Sequence, residues 1–146
     1  MGRVRTLLVA VNEVFLDGVV AWMAEDSRIE VVGTARSGSQ ALEKVESLRA
    51  ELVLVDATLP DMSGFEVIRR IKSRSNAPLV VMLSFHDSQA CRLEAWAAGA
   101  DDFVPTSDTA DRLSPLVGDL LGRRNVGIRD KGAVISRAAP PTDATK

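Results

Sequence analysis

The stretch LVLVD, residues 52–56, runs four apolar residues straight into Asp56, and the chain then breaks into a loop that holds Pro60 and Gly64. A carboxylate at the end of a buried strand can act as nucleophile, base or metal ligand, and in open parallel α/β sheets functional groups collect at the carboxyl ends of strands. An Asp that only turns the chain is the competing reading, and position alone leaves both open. Other reactive residues are few. Ser84 follows a second apolar run, PLVVML, and His86, the only histidine, stands two residues beyond it. Neither lies in a G-x-S-x-G elbow, so a triad hydrolase lacks its frame, and His86 reads as a solvated loop residue near the site. The turn AVNEVF after the first apolar run has no glycine, so its backbone cannot cradle a phosphate as a G-x-G-x-x-G loop does. Cys91, the lone cysteine, reads as small packing on a helix, and Asp101 and Asp102 read as a strand-entry turn and solvated surface.

The elements that must position Asp56 follow from periodicity. VRTLLVAV (4–11), IEVVGTA (29–35), ELVLV (51–55), PLVVML (78–83) and DFV (102–104) are short runs rich in Val and Leu, as buried strands are. Between them lie stripes at helical spacing: Phe15, Val19, Val20 and Met23; Ala41, Leu42, Val45 and Leu48; Phe65, Ile68 and Ile71; Ala90, Leu93 and Ala97. Strict alternation of apolar strands with helices predicts a doubly wound parallel α/β domain with helices on both faces, joined by right-handed crossovers. Ser37 with Gln40, and Ser63 with Glu66, are spaced as capping boxes, and Gly99 sits where a helix C-terminus needs φ > 0. A fifth helical stripe, Leu113, Leu116, Val117, Leu120 and Leu121, is interrupted by Pro115, which predicts a kink or a late start.

Bulk properties narrow the function classes. The chain has 146 residues, 46% apolar and 26% charged, with a net charge of -2, which suits one globular domain and gives no global pull toward nucleic acid or membrane. The single cysteine excludes an internal disulfide framework, and the first apolar run is cut by Asn12 and Glu13, too soon for a signal sequence or a membrane span, so a cytoplasmic location is expected. Residues 1–121 read as the domain. Residues 122–146 lose periodicity and read as a basic, Pro-containing tail or linker, with six basic residues against two acidic ones.

The segment LVLVDATLPDMSGFEVIRRIK closely resembles the phospho-acceptor segment of response-regulator receiver domains, the CheY-like family, and AWAAGADDFV resembles the stretch before and into that family's fifth strand. IEVVGTARSGSQALEKV is similar to the second strand and helix of such receivers, and the likeness runs from residue 3 to about residue 121. The resemblance implies a five-stranded flavodoxin-like sheet of order 2-1-3-4-5 and a regulatory module that is not an enzyme. By the same resemblance Asp56 matches the aspartate phosphorylated by a partner histidine kinase, Ser84 the hydroxyl residue that ends strand four, and Phe103 the aromatic switch residue of strand five. The output face would then be the fourth helix, fifth strand and fifth helix, with Arg92, Trp96, Phe103 and the Pro115 segment on it. Trp96 reads as a core residue there, with an interface anchor as the alternative, and the face is also a candidate for homodimerisation. No membrane partner, and no nucleic-acid contact within this chain, is expected.

The family's other devices are missing from the sequence. Aligned without a gap from TLLV through NEVFLDG, the acidic pair that helps hold Mg²⁺ falls on Ala10 and Val11, and the strand-five Lys falls on Thr106. Sliding the register by two residues would bring Asn12 and Glu13 toward the metal, but it needs an insertion and a compensating deletion. What remains for a metal is Asp56 with the backbone carbonyl of Thr58, a poor set for an ion that wants octahedral oxygen geometry. The expectation is therefore an atypical receiver that works by protein–protein interaction, with little or no phosphorylation at Asp56 and no cofactor. The alternative is a conventional phosphorelay receiver that uses Mg²⁺ and switches its output face.

Overall fold

The computed structural model describes residues 3–84, 88–105, 115, 118, 119 and 122. Five strands, β1 (Val4–Val9), β2 (Ile29–Ala35), β3 (Leu52–Asp56), β4 (Leu79–Ser84) and β5 (Asp102–Pro105), alternate with α1 (Glu13–Met23), α2 (Gly38–Ser47), α3 (Gly64–Lys72) and α4 (Gln89–Ala98). The strands form one parallel sheet in the order β2-β1-β3-β4-β5. That is the doubly wound arrangement expected from the alternation, with the strand order the resemblance implied.

Alternate strand residues face opposite ways, so each strand feeds two cores. Leu7, Val9, Val53, Val55, Val80, Met82 and Phe103 point to one face and pack with Val45 of α2, Ile68 and Ile71 of α3 and Ala95 of α4. Leu8, Ala10, Leu52, Leu54, Val81, Leu83 and Val104 point to the other, where Leu16, Val19 and Met23 of α1 cover them. Burial on both faces explains why the strands read as continuous apolar runs without alternation.

The helix boundaries follow the capping residues. Ser37 accepts from Gln40 N–H at 3.1 Å and Ser63 from Glu66 N–H at 3.1 Å. The return half of each box differs from the expected reciprocal bond: Gln40 reaches back to Arg36 N–H at 3.0 Å, and Glu66 turns outward to Arg69 and Arg70. Gly99 ends α4 with φ 106°, the left-handed conformation expected there.

Three readings need correction. The buried face of α4 is Ala95 and Ala98, with Cys91 packed beside them, whereas Ala90 and Ala97 are exposed and Leu93 is 48% exposed. Trp96 is half-buried and belongs to neither core. Asp101 is not solvated surface: its Oδ2 accepts from Lys72 Nζ at 2.9 Å and from Val80 N–H at 2.8 Å, tying α3 to the starts of β4 and β5. Pro115 is helical and exposed. The rest of the fifth apolar stripe (Leu113, Leu116, Val117, Leu120 and Leu121), His86, Thr106 and the tail from residue 123 lie outside the described residues.

Candidate functional site

Asp56 is the last residue of β3, one position later than the apolar run suggested, and it still pairs in the ladder with Leu83 of β4. It is 7% exposed. β1 and β3 run in register up to Val9 and Val55, so Ala10 stands next to Asp56 on the α1 side of the sheet. Ala10 is fully buried, and its N–H donates to Ala35 O at 3.0 Å. Val11 follows it into the turn and is 39% exposed. From β1, then, it is the Ala10 methyl that stands against the carboxylate.

Asn12 and Glu13 are engaged elsewhere. Asn12 caps α1, its Oδ1 accepting from Phe15 N–H at 2.9 Å, and Glu13 pairs with Arg36 at 3.1 Å across to the end of β2. Asp56 is bound by its own loop: Thr58 N–H donates to its Oδ1 at 3.2 Å. Burial pushes the Asp56 carboxyl above the usual carboxylate range, against the pull of the Thr58 and Ala57 N–H groups, which favour the ionised form. Among the described residues Asp56 makes no ion pair, and the groups that favour its charge are the N–H groups of Thr58 and Ala57.

The loop beyond Asp56 is tightly set. Ala57 N–H donates to Leu83 O at 3.1 Å and Gly64 N–H to Ala57 O at 2.8 Å, which folds the start of α3 back onto the end of β3. A Cβ on Gly64 would overlap the Asp56 carbonyl oxygen, so glycine is required by close approach of two backbones. Asp61, which sequence reasoning passed over, reaches from the middle of this loop to α2, accepting from the N–H groups of Gly38 and Ser39 and from the Ser39 hydroxyl. Its partners lie 22 and 23 residues upstream, and only the topology brings them together.

Ser84 ends β4 fully buried, paired in the ladder with Pro105 of β5. Phe103, two residues before Pro105 and on the same face of the sheet, is 1% exposed. The Arg92 guanidinium of α4 lies over its ring, 5.0 Å from the centroid, within reach of a cation–π attraction. The carboxyl ends of β3 and β4 thus present a carboxylate and a hydroxyl in adjacent strands, and the Phe103 ring is buried one strand further on, level with Met82.

The family model for the response regulator receiver domain matches residues 7–115. The chain belongs to the response regulator receiver domain family. A chemotaxis protein CheY from Listeria monocytogenes is 30% identical over 107 residues, which span 73% of this receiver and 90% of that protein. A protein-glutamate methylesterase/protein-glutamine glutaminase from a Nocardioides strain is 32% identical over 152 residues, covering 95% of this chain but 42% of its own length. This receiver spans less than half the length of such methylesterase relatives. Among solved structures, the signal receiver domain of NarL from Mycobacterium tuberculosis superposes with a TM-score of 0.77 at 28% identity, over 82% of this chain and 97% of that one. The response regulator domain of Thermotoga maritima CheB shares the fold, with a TM-score of 0.72 at 24% identity over 81% of this chain and 96% of that one. Two-component signalling is therefore the setting of this receiver, and among its described residues no helix is long and apolar enough to cross a membrane.

Proposed function

We propose that this receiver acts as an atypical member of its family, a protein–protein interaction module with little or no phosphorylation at Asp56. The observation that carries the reading is Ala10 beside the Asp56 carboxylate with Val11 next to it in the chain, the two positions where the gapless register puts the acidic pair of a phosphorylated receiver. A carboxylate attacks phosphorus only when charge gathering on the phosphoryl oxygens is neutralised, usually by a divalent cation and a fixed donor. Neither Ala10 nor Val11 offers an oxygen from its side chain, and Asn12 and Glu13 have other partners, so the rescue by a shifted register finds no support. The remaining donors, Asp56 and the Thr58 carbonyl, do not fit Mg²⁺, which binds in near-ideal octahedral geometry through one or two carboxylates. Without the cation, the barrier to phosphoryl transfer rises by several kcal/mol, roughly three or more powers of ten in rate. On this reading the receiver is a binding module with no enzymatic role of its own. Its partners are a histidine kinase or another signalling regulator, or a second copy through the α4 and β5 face.

The conventional reading keeps one observation in its favour: Asp56 and Ser84 stand at the carboxyl ends of adjacent strands, with Phe103 buried in the neighbouring β5. Intact-mass spectrometry after incubation with a small-molecule phosphodonor, with and without Mg²⁺, separates the two. The interaction module gives no adduct from folded protein. A Mg²⁺-dependent adduct lost in Asp56→Asn makes this a working phosphorylation switch. Restoring the missing groups, Ala10→Asp with Val11→Asp and Thr106→Lys, is expected to create that adduct, and an inert triple variant would count against the account of what was lost.

A further inference from the structure

The loop between β3 and α3 is fastened at its midpoint to the start of a different helix. Asp61 Oδ1 accepts from Gly38 N–H at 2.7 Å, while its Oδ2 accepts from Ser39 N–H at 3.0 Å and from Ser39 Oγ–H at 2.7 Å. These amides belong to the first turn of α2, whose N–H groups have no partner within the helix. Ser37 caps a different one, that of Gln40. The helix is thus capped twice, once by its own chain and once by the loop that begins at Asp56. Such bonds to an ionised carboxylate are the stronger kind, and the Ser39 hydroxyl together with the Gly38 and Ser39 N–H groups pulls the Asp61 carboxyl down to about 2.

The contact extends beyond one side chain. Met62 lies directly on Gly38, where any Cβ would overlap its Cγ, so α2 and the loop meet closely enough to exclude a side chain. At the far end of the loop Gly64 is bonded to Ala57 and seated on the Asp56 carbonyl. Between these anchors stands Thr58, whose N–H donates to the Asp56 carboxylate.

We propose that Asp61 is a positioning residue for Asp56: by fastening the loop to the first turn of α2 it holds Thr58 against the Asp56 carboxylate, so that α2 and the rim of the site move as one unit. The linkage stands whether or not Asp56 accepts phosphate, because it acts on the resting geometry of the loop. Backbone amide exchange followed by NMR on the full chain tests it, with Asp61→Ala, Asp61→Asn and, as a control, Ser88→Ala. Ser88 caps α4 by accepting from Cys91 N–H at 3.2 Å, so its loss removes a comparable cap away from this loop.

Asp61→Ala is expected to speed exchange at Gly38, Ser39, Thr58 and Gly64 at least tenfold, to shift the Asp56 carboxyl ¹³C resonance, and to leave the β4 amides at their original rates. Asp61→Asn, which keeps one acceptor oxygen, is expected to fall between, and Ser88→Ala to leave Thr58 and Gly64 unchanged. Faster exchange at Gly38 and Ser39 alone would overturn the proposal, since Asp61 would then cap α2 and nothing more. Parallel acceleration of every amide would overturn it too. If Asp61→Ala fails to fold, Asp61→Asn and Ser39→Ala decide by the same pattern, the coupled loop amides rising with those of α2 or remaining still.

Discussion

Asp56 is a carboxylate that the fold buries without giving it a cation among the described residues, and pH acts on it in a definite direction. Its folded pKa is raised by burial, so the protonated form is favoured in the fold; that contribution is full below the ordinary carboxylate range and is lost as pH rises through the raised value. Asp56→Asn is therefore expected to raise the urea midpoint at pH 7, with the gain shrinking toward zero below a pH of about 3.9. A lower midpoint at pH 7 would mean that a cation faces Asp56 after all. Asp61 has the opposite sign. Its pKa is depressed to about 2, so its stabilisation is present above the unfolded value and lost as pH falls through the folded one. Asp61→Asn should accordingly lower the urea midpoint at pH 7 and leave it nearly unchanged at a pH of about 2. Gly64→Ala belongs with these two because it drives a Cβ into the Asp56 carbonyl, and a loss of about 1–3 kcal/mol in chemical denaturation is expected from such overpacking.

α4 is the element on which the sequence misleads. Four of its ten residues are alanines, Ala90, Ala95, Ala97 and Ala98, and alanine marks neither a buried nor an exposed face, so Leu93 set the apparent stripe. The sheet accepts the helix by its small side, Ala95 and Ala98, which lets α4 lie close over Phe103. Ala95→Leu is therefore expected to cost about 1–3 kcal/mol, and Leu93→Ala to stay within about 0.5 kcal/mol, both read from urea denaturation; the reverse ranking would restore the face first drawn. α2 and α3 declared themselves because Val45 and Ile68 contrast with charged neighbours, and the strands because burial on both faces leaves unbroken Val and Leu runs. The caps at Ser37 and Ser63 were readable for a local reason, each serving an amide three residues away. Asp61 and Asp101 were not readable, since each serves donors more than twenty residues distant that meet it only after the sheet has assembled. Thr106 lies outside the described residues, so the strand-five position is known from sequence alone.

Across the whole molecule, the sheet order puts β1 between β2 and β3, and this is what sets Ala10 against Asp56. A fully buried methyl beside a buried carboxylate asks for less charge compensation than two or three adjacent carboxylates would. On the proposed reading, the apolar neighbours of Asp56 also predict a fold that needs no metal. Ala10→Asp tests this directly. It sets a second carboxylate against Asp56 in a buried position, and an uncompensated buried charge costs about 3–5 kcal/mol. In EDTA the variant should melt well below the unmodified protein. Mg²⁺ should restore it, because an ion that binds only the folded state stabilises by mass action, about 2.7 kcal/mol at a hundredfold excess over its Kd. The unmodified receiver should keep the same Tm with Mg²⁺ and with NaCl at matched ionic strength. If instead its own Tm climbs with Mg²⁺, Asp56 and its loop bind the metal without acidic neighbours, and a phosphorylation switch becomes the better account of the whole domain.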